Sequence, residues 1–431
     1  MESIWKKTAE LPSFPTLEKD IKTDVLIIGG GLAGILTAFK LKEKGVNCIV
    51  VEKDRICQKV TGNTTAKITS QHGFCYSKIL KSNGFESAKM YLHANEQAIR
   101  EYEKLCENID CNFEKKDNFV YELQNMQLID DELKALWKMG FQAEFQDKLP
   151  IPINQIGSIK FKNQAQFNPL KFIKEIVKDL NIYENTFVKK IDDNSAITEK
   201  NKITFKKAVI ATHFPIINNH GLFFMKMYQH RSYVIALENA QQVEGMYVDQ
   251  ADSGLSFRNY ENLLLLGGGS HKTGKEGGNW QELRDFARIN YPDSKEIAFW
   301  ATQDCKTLDH IPYIGPYFKG ARNLFVATGF NKWGMTGSMV SAMILSDLVI
   351  EKENPYAKAF DPSRSILKPQ LLVNGLESVK NLLTPTTKRC PHLGCALKWN
   401  KAEHSWDCPC HGSRFTDNGK LLENPANGDL K

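Results

Sequence analysis

Apolar and polar positions near the start of the chain follow the order strand, helix, strand. Residues 23–28 form an apolar run that predicts a buried strand, a helical pattern follows as far as Lys44, and residues 48–52 predict a second strand. The turn between the first strand and the helix has the spacing G-x-G-x-x-G, and its glycines are Gly29, Gly31 and Gly34. With an acidic residue about twenty positions further on, this order of elements is typical of a dinucleotide-binding fold.

Each residue of this motif has an expected role in binding a dinucleotide. Gly29 permits the tight turn, Gly31 lets the pyrophosphate approach the helix N-terminus, and Gly34 lets the helix pack on the strand. Glu52, with Lys53 beside it, is expected to bind the ribose hydroxyls of the adenosine. The motif alone does not distinguish FAD from NAD, and an ordinary βαβ unit with a glycine-rich turn is the structural alternative.

Later apolar patterns predict a chain of mixed helices and strands. Helical spacing predicts helices over residues 86–106, 130–139, 169–180 and 337–350. Apolar runs predict strands over residues 118–123, 208–212, 232–237, 255–258, 263–267 and 323–328. The runs between residues 228 and 268 favour the antiparallel sheet of a substrate domain, whereas the strand 208–212 is expected to return to the dinucleotide-binding part.

Two further segments resemble the amine and D-amino-acid oxidase family of flavoproteins, to which glycine oxidase belongs. One is the small-residue loop 61–67, and the other is the late strand that enters the glycine-rich turn 329–337 and a long apolar helix. In that family the N-terminus of the late helix points at the flavin ring, where its dipole stabilises negative charge. The resemblance covers about residues 20 to 355. It implies FAD contacts at Gly62, Asn63, Thr64, Thr65, Val188, Ala211, Thr212, Gly329, Gly334, Met335 and Thr336. We expect the FAD to be non-covalent, because Cys305 has no convincing match to the cysteine that links FAD in some members.

Towards its end the chain holds two short loops that each pair a cysteine with a histidine. The paired residues are Cys390, His392, Cys408 and His411, and the loops also carry Cys395 and Cys410. Two thiolates and two imidazoles suit a Rieske 2Fe-2S cluster, whereas a structural zinc site, the alternative, would leave the two further cysteines unexplained. The boxes C-x-H-x-G-C and C-P-C-H-G-S resemble those of Rieske proteins of the cytochrome bc kind. By that resemblance the four paired residues are the cluster ligands, and Cys395 forms a disulfide with Cys410.

Two departures from the Rieske pattern affect what we expect of the cluster. Phe415 stands where high-potential members carry a tyrosine that donates to a cysteine sulfur, while Ser413 is retained as a donor. Because hydrogen bonds to the sulfurs raise the reduction potential, we expect a lower potential than in the quinol-oxidising members. The segment between Asp361 and Cys390 is short, so we also expect an abbreviated Rieske domain that docks on the main body.

These resemblances imply an α/β (α+β) fold in three parts. A Rossmann-type FAD-binding domain and an antiparallel-sheet substrate domain make up residues 1–360, a linker spans 361–389, and a small all-β Rieske domain spans 390–431. The FAD-binding segments are expected at about 20–75, 150–215 and 305–355. The substrate segments are expected at about 76–149 and 216–304.

The substrate site is the part that the sequence specifies least. Relatives in the oxidase family clamp a substrate carboxylate with an arginine shortly before a D-x-x-P-x-I-G box, and here that position holds Asp304. We therefore expect a cationic amine as substrate, or an acid group that is bound by Arg258 or Arg231. A capping or surface role for Asp304 is the structural alternative. The further pocket candidates are Tyr228, Tyr233 and His271. Aromatic residues in such strands are more often part of the core.

Composition limits the remaining function classes. The chain has 431 residues and a hydrophobic content of 42%, which is enough for several domains with a sizeable core. The net charge of +6 is not clustered, so we expect no nucleic-acid partner. No signal peptide or membrane-spanning run is recognisable, and the cysteines outside the Rieske loops read as buried apolar residues, which favours a cytoplasmic protein.

The resulting hypothesis is a soluble flavin and iron-sulfur dehydrogenase. FAD would take a hydride from a small amine, an amino-acid-like compound or a related C–H substrate, and electrons would pass singly to the 2Fe-2S cluster and to a soluble acceptor protein. A one-electron outlet competes with oxygen, which favours a dehydrogenase over an oxidase. Two alternatives remain open, namely reversed flow from a reduced donor protein to the substrate and a redox sensor without turnover.

Overall fold

The computed structural model describes residues 1–217, 221–365, 371 and 380–430, so much of the predicted linker lies outside the described residues. In chain order, the helices are α1 (Ile4–Thr8), α2 (Leu32–Glu43), α3 (Tyr76–Asn83), α4 (Phe85–Cys106), α5 (Met126–Lys138), α6 (Pro169–Ile176), α7 (Phe223–Lys226), α8 (Trp280–Asn290), α9 (Gly334–Val349) and α10 (Ala357–Phe360). The strands are β1 (Ile21–Ile28), β2 (Cys48–Val51), β3 (Lys67–Ile68), β4 (Glu114–Glu122), β5 (Glu144–Gln146), β6 (Gly157–Gln166), β7 (Ile182–Tyr183), β8 (Lys190–Ile191), β9 (Ser195–Ile197), β10 (Lys202–Ile210), β11 (Met227–Glu238), β12 (Met246–Asp249), β13 (Ser256–Tyr260), β14 (Leu263–Lys272), β15 (Lys295–Thr307), β16 (Tyr313–Pro316), β17 (Leu324–Thr328), β18 (Lys398–Asn400), β19 (Ser405–Asp407), β20 (Arg414–Thr416) and β21 (Leu421–Glu423).

The first sheet is mainly parallel and contains the predicted dinucleotide-binding unit. Its strands run in the order β16-β17-β10-β1-β2-β7, and β9 and β8 extend it beside β10. The run in β1 is apolar without interruption because both faces of the sheet are covered. Val25 and Ile27 pack in the cluster that includes α2 and α9, whereas Leu26 and Ile28 pack in the cluster on the opposite face.

The late helix α9 lies in the middle of this part of the molecule. It packs against α2 and α4, which is why residues on nearly all of its faces are buried. It begins at Gly334, earlier than the predicted start at residue 337. The backbone N–H of Gly337 already bonds to the carbonyl of Trp333, so the glycine-rich segment forms the first helical turn.

The second sheet is mainly antiparallel and forms the substrate part. Its strands run in the order β15-β11-β14-β13-β12-β4-β6-β3, with β5 beside β6. The segment from residue 150 is expected in the FAD-binding part, yet β6 pairs with β4 along most of its length and therefore lies in the substrate sheet. On β11, Tyr233 and Ile235 pack with Leu283 of α8, whereas Val234 and Ala236 face the main core.

The Rieske segment has a small antiparallel sheet of its own, in the order β18-β19-β20-β21. Phe415 of β20 is buried in a cluster with the cysteines of the two loops. Where the predicted linker begins, Arg364 donates to the two carboxylate oxygens of Asp309 at 2.7 and 2.9 Å and lies over the Tyr313 ring. The start of the linker segment is thus held against the flavoprotein body.

Candidate functional site

A deep cavity of about 560 Å³ opens at the carboxyl ends of β1, β2 and β10 and extends along β11. Ligands of parallel sheets bind in this position, beyond the carboxyl ends of the strands. Many of the predicted FAD residues line the cavity, namely Gly29, Gly31, Glu52, Lys53, Thr64, Thr65, Val188, Ala211, Thr212, Gly334 and Met335.

The glycine-rich turn between β1 and α2 leaves room for a ligand. A side chain on Gly29, whose φ is +114°, would come within 2.4 Å of the carbonyl oxygen of Ala211. A side chain on Gly34 would meet the carbonyl oxygen of Gly29 at 2.0 Å. Gly31 faces the cavity, and the nearest atom to an added Cβ is the hydroxyl of Thr61 at 3.5 Å. The backbone of the turn is therefore open to a pyrophosphate at the N-terminus of α2.

Glu52 lies at the end of β2, where its carboxylate is fixed by backbone donors. It accepts hydrogen bonds from the N–H groups of Gly30 at 2.7 Å and Asp54 at 3.1 Å. Burial raises the pKa of Glu52, and these two backbone hydrogen bonds oppose the rise. The carboxylate is thus held rigidly on the cavity wall, as a ribose-binding group requires.

The remaining predicted FAD residues lie behind the lining of the cavity. They are Gly34, Gly62, Asn63, Gly329 and Thr336. Thr336 donates to the carbonyl of Thr69 at 3.1 Å and contacts His72 Nε2 at 3.0 Å. The carbonyl of Asn63 accepts from the indole of Trp300 at 2.9 Å. Gly329 has a φ of +73° and packs against the side chain of Thr307. These residues support the cavity wall without forming its surface.

Asp304 and Tyr233 are the substrate candidates that line the cavity. Burial raises the pKa of the Asp304 carboxyl, while His213 and the nearby lysines favour its charged form. Tyr233 stacks on His271, whose ring lies 5.8 Å away and outside the lining. Tyr228 likewise packs on a neighbouring ring, that of His230, at 5.4 Å. The aromatic candidates thus divide into one cavity residue and two packing residues.

The two arginines expected to bind a substrate acid group do not line the cavity, which contradicts that expectation. Arg258 donates to the carbonyls of Thr65 and Ala66 at 2.8 and 2.7 Å, so its guanidinium supports the small-residue loop 61–67. Arg231 forms a buried ion pair with Glu403 of the Rieske segment. Both guanidinium groups already have hydrogen-bond or ion-pair partners inside the protein.

Sequence analysis missed several basic groups on the cavity wall. Burial and, to a smaller extent, the nearby Arg258 together lower the pKa of Lys67 to about 7. Burial also lowers the pKa of Lys332 to about 8. Lys306 pairs with Asp252 at the same wall. Lys67 ends the small-residue loop and Lys332 precedes α9, so both positions adjoin segments that the family resemblance had placed at the flavin.

The two Cys-His loops meet at the tip of the Rieske segment. The rings of His392 and His411 lie 5.0 Å apart and nearly perpendicular. A hydrogen bond from Cys408 lowers the pKa of the Cys390 thiol to about 7, and Ser413 also donates to it. Burial lowers the pKa of His392 to about 4 and that of His411 to about 3. Neutral imidazoles and a readily ionised thiol are the forms that bind metal.

Cys395 and Cys410 are joined by a disulfide that ties the two loops together, as expected. The sulfurs of Cys395, Cys408 and Cys410 lie within 4.8 Å of one another, which by distance alone is a second potential ligand set. Disulfide sulfurs carry no thiolate, so we prefer the set with two histidines. The Nδ1 atom of His411 supports that set, because it is buried and has no hydrogen-bond partner among the described residues.

The Rieske segment docks on one face of β11. Gln229, Arg231 and Tyr233 occupy alternate positions of this strand and therefore point the same way. Gln229 Nε2 donates to the carbonyl of His411 at 2.8 Å. Arg231 and Tyr233 both bind the carboxylate of Glu403, the tyrosine hydroxyl at 3.1 Å. Three consecutive outward positions of the substrate sheet thus recognise the Rieske segment.

The Rieske segment also reaches the cavity itself. The side chain of Asn424 donates to the carbonyls of Thr212 and Phe214 at 2.9 and 2.8 Å, on either side of His213. His213 itself lines the cavity, and burial lowers the pKa of its imidazole. Residues 421–424 are part of the lining as well. All three parts of the chain therefore contribute to one cavity wall.

The fold and the two sites define a flavoprotein oxidoreductase joined to a Rieske iron-sulfur domain. The sequence model of the FAD dependent oxidoreductase family (DAO) matches residues 24–348, so the chain belongs to this family, and the Rieske [2Fe-2S] domain model matches residues 364–431. The predicted family, fold class and cofactors, FAD and a 2Fe-2S cluster, are confirmed, and zinc is set aside.

Similar proteins align with the whole chain or with a short part of it. In an alignment of 493 residues that spans 100% of this chain and 97% of the relative, the chain is 35% identical to the Rieske 2Fe-2S iron-sulfur protein YhfW of Bacillus subtilis. Over 37 residues, 9% of this chain and 16% of the relative, it is 54% identical to the chloroplast cytochrome b6-f complex iron-sulfur subunit of Fritillaria agrestis.

Solved structures confirm the fold of the flavoprotein part. Glycine oxidase from Geobacillus kaustophilus has a TM-score of 0.68 at 19% identity, covering 80% of this chain and 99% of that one. L-proline dehydrogenase from P. horikoshii has a TM-score of 0.65 at 17% identity, covering 80% of this chain and 98% of that one. Within the described part of the chain, no helix combines the length and the apolar character needed to cross a membrane.

Proposed function

We propose that this chain is a dehydrogenase that oxidises a small amine, an amino-acid-like compound or a related C–H substrate and delivers the electrons singly to an external acceptor protein. When bound, FAD supplies hydride acceptance, and the cluster supplies one-electron transfer. The names of the structural neighbours, glycine oxidase and L-proline dehydrogenase, support the substrate class. A cytoplasmic location and the domain boundaries stay predictions.

The observation that carries this proposal is the link between the Rieske loop and the cavity. Gln229 donates to the carbonyls of His411 and Asn424. The Asn424 side chain in turn donates to the two carbonyls that flank His213, and His213 lines the cavity. A cluster held by His411 would therefore be connected to the flavin cavity through two side chains. This arrangement favours electron exchange within the chain over direct reaction of the flavin with oxygen.

The residues proposed to hold the cofactors are those with suitable donors and space. We assign the cluster to Cys390, His392, Cys408 and His411. For FAD, the open turn at Gly31 would take the pyrophosphate, and the N-terminus of α9 at Gly334 and Met335 would hold the flavin ring. Glu52 would bind the ribose.

For the substrate, Asp304 is proposed to bind a cationic amine. Its carboxyl lies on the cavity wall, and burial has already removed it from most of the solvent. Burial costs the carboxylate part of its solvation energy, and Coulomb attraction to a nearby ammonium group would offset that cost. The chain would then orient the substrate and exclude water.

An anaerobic stopped-flow experiment tests the proposal. The holoenzyme is mixed with a panel of small amines and amino acids, and the flavin and cluster absorbances are followed together. We expect an active substrate to bleach the flavin first and the cluster within the turnover time. A reduced flavin beside an unchanged cluster would contradict the proposal. Bleaching only by a reduced donor protein would indicate reversed flow.

A further inference from the structure

The two histidines of the Rieske tip have different surroundings. His411 is only 5% exposed, and its loop is packed against Gln229 of the flavoprotein sheet. His392 is half-buried, its ring faces Phe214 and Phe224 of the flavoprotein part, and the next residue, Leu393, is 43% exposed. The Rieske tip is thus enclosed on the side of the two histidine rings and accessible at Leu393.

We propose that an acidic one-electron carrier protein docks on the accessible side of the Rieske tip. The contact surface, here called the outer patch, consists of Leu382, Leu383, Lys388, Arg389, Leu393 and Lys398. This inference rests on the proposed function, because it requires a cluster at the Cys-His loops, and it adds the kind of partner that exchanges electrons there.

Hydrogen bonds hold the outer patch next to the ligand loop. Arg389 donates to the carbonyl of Gly394 at 2.8 Å and to that of Leu382 at 3.1 Å, so it joins the segment around residue 382 to the loop of His392. The side chain of Leu382 lies 3.8 Å from the position of a Cβ on Gly394. The backbone of Leu397 bonds to the carbonyl of Lys388, which brings Lys398 to the same region.

The outer patch combines exposed apolar side chains with unbalanced positive charge. Leu383 is 77% exposed and Leu382 is 43% exposed, so that with Leu393 three exposed leucines lie close to the ligand loop. Residues 380–402 contain five Lys or Arg residues and no Asp or Glu. The next carboxylates along the chain, Glu403 and Asp407, are buried and paired with Arg414.

An apolar centre with a charged rim is the usual anatomy of a protein interface. Its positive sign selects a partner of negative charge, because complementary charge steers encounter and raises the association rate. A protein that docks here would place its redox group beside Leu393 and His392. One electron then passes between the carrier and the cluster, so one is oxidised as the other is reduced, and no bond breaks.

Two carriers of opposite charge test the patch. The probes are a reduced acidic ferredoxin, which donates to the oxidised cluster because a four-thiolate cluster has a lower potential, and an oxidised basic c-type cytochrome, which accepts from the reduced cluster. The holoenzyme is compared with the variant Lys388→Glu/Lys398→Glu. Neither lysine belongs to the proposed cofactor sites, and Arg389 is left intact because it holds the loop.

We expect the charge reversal to slow the ferredoxin reaction about tenfold at low ionic strength and to speed the cytochrome reaction. Added salt should diminish both effects, since the Debye length falls to about 8 Å at 0.15 M. The matched control is Lys134→Glu/Lys138→Glu on α5, where both lysines are exposed. Equal rates in the wild type and the outer-patch variant, or an equal change in the control variant, would overturn the proposal.

A second variant tests the apolar part. Leu393→Ser should weaken the reaction with ferredoxin several-fold at every salt concentration, whereas an unchanged rate would remove Leu393 from the interface. Both variants are first checked for cluster content by EPR. Reduction of the cluster by substrate, without any carrier, is measured separately, so that failure of the proposed function is distinguishable from failure of the docking surface.

Discussion

Gln229 donates a 2.8 Å hydrogen bond from its side chain to the backbone carbonyl of His411, across the boundary between the flavoprotein sheet and the Rieske loops. The same amide group donates to the carbonyl of Asn424 and accepts from Gln303 at 2.7 Å. Gln303 in turn donates to the carbonyl of Gly412. The orientation of the His411 loop is therefore determined by two neighbouring strands of the substrate sheet and does not depend on the linker alone.

Replacing Gln229 with leucine should loosen this connection. Gln229→Leu leaves buried carbonyls of His411 and Asn424 without their donor, which should cost about 1–3 kcal/mol of unfolding free energy. We expect slower reduction of the cluster after substrate has reduced the flavin, with both cofactors still bound. Anaerobic stopped-flow absorbance measures the rate. The control is Gln242→Leu, an exposed glutamine, which should leave the rate unchanged.

Elements that depend on local pattern were predictable from the sequence. The turn at Gly29 and the strand that ends before Glu52 follow from apolar runs and glycine spacing, and the structure has both. Boundaries were less accurate where a polar residue begins an element. Helix α5 starts at Met126 because the side chain of Asn125 accepts from the Gln127 N–H, whereas the apolar spacing predicts a start at residue 130.

Contacts between distant parts of the chain were not predictable. Arg231 was a candidate for binding a substrate acid group, because the sequence does not reveal that Glu403, 172 positions later, occupies it. Lys67 was overlooked for the opposite reason, since a lysine in a small-residue loop gives no sign of being buried. Pairing and burial of charges are properties of the tertiary structure, and the periodicity of apolar residues does not predict them.

The buried ion pairs of Glu403 should make a measurable contribution to stability. Glu403 bonds to both Arg231 and Arg414. Glu403→Leu takes this carboxylate from the buried Arg231, while Arg414 keeps Asp407 as a partner, and should cost about 3–5 kcal/mol of unfolding free energy. Arg231→Met should cost less, because Arg414 still pairs with the carboxylate. Denaturant unfolding followed by circular dichroism measures both. The exposed pair of Lys189 and Glu199 provides the control, and Lys189→Met should stay within about 0.5 kcal/mol of the wild type. A larger loss of unfolding free energy in Arg231→Met than in Glu403→Leu would contradict this account.

Substitution of cysteines distinguishes the two potential ligand sets. We expect Cys390→Ser to lose the EPR signal of the reduced cluster while FAD remains bound, because Cys390 supplies a thiolate ligand. Cys395→Ser removes only the disulfide, so the cluster should still assemble and be lost more readily on heating. If Cys395, Cys408 and Cys410 formed the site, Cys395→Ser would instead lose the cluster outright. Cys48→Ser, at a buried cysteine of β2, is the control.

The buried ammonium group of Lys67 should make stability depend on pH. Its pKa in the folded protein is about 7, against 10.5 for an exposed lysine. Between these values the unfolded chain binds a proton that the folded protein does not, so stability rises with pH across this window. The advantage of the wild type over Lys67→Met should grow by at most about 1.4 kcal/mol per pH unit. Urea unfolding of the FAD-free protein between pH 7 and 10 measures this growth.

A free-energy difference that does not change with pH would show that Lys67 is protonated throughout. Lys189→Met, at an exposed lysine, is the control and should give no such slope.

Phe415→Tyr should raise the reduction potential of the cluster. Phe415 is fully buried and packs against the cysteines of the two loops. The side chain of Ser413 donates to Cys390. A tyrosine hydroxyl at position 415 would add a second donor to a sulfur and so favour the more negative, reduced state. A hydrogen bond of about 1 kcal/mol corresponds to a rise on the order of 40 mV for one electron. Protein-film voltammetry measures the shift.

Phe415→Leu, which adds no donor, should leave the potential nearly unchanged, and Ser413→Ala should lower it. A potential that is equal in the tyrosine and leucine variants would mean that the new hydroxyl does not reach a sulfur.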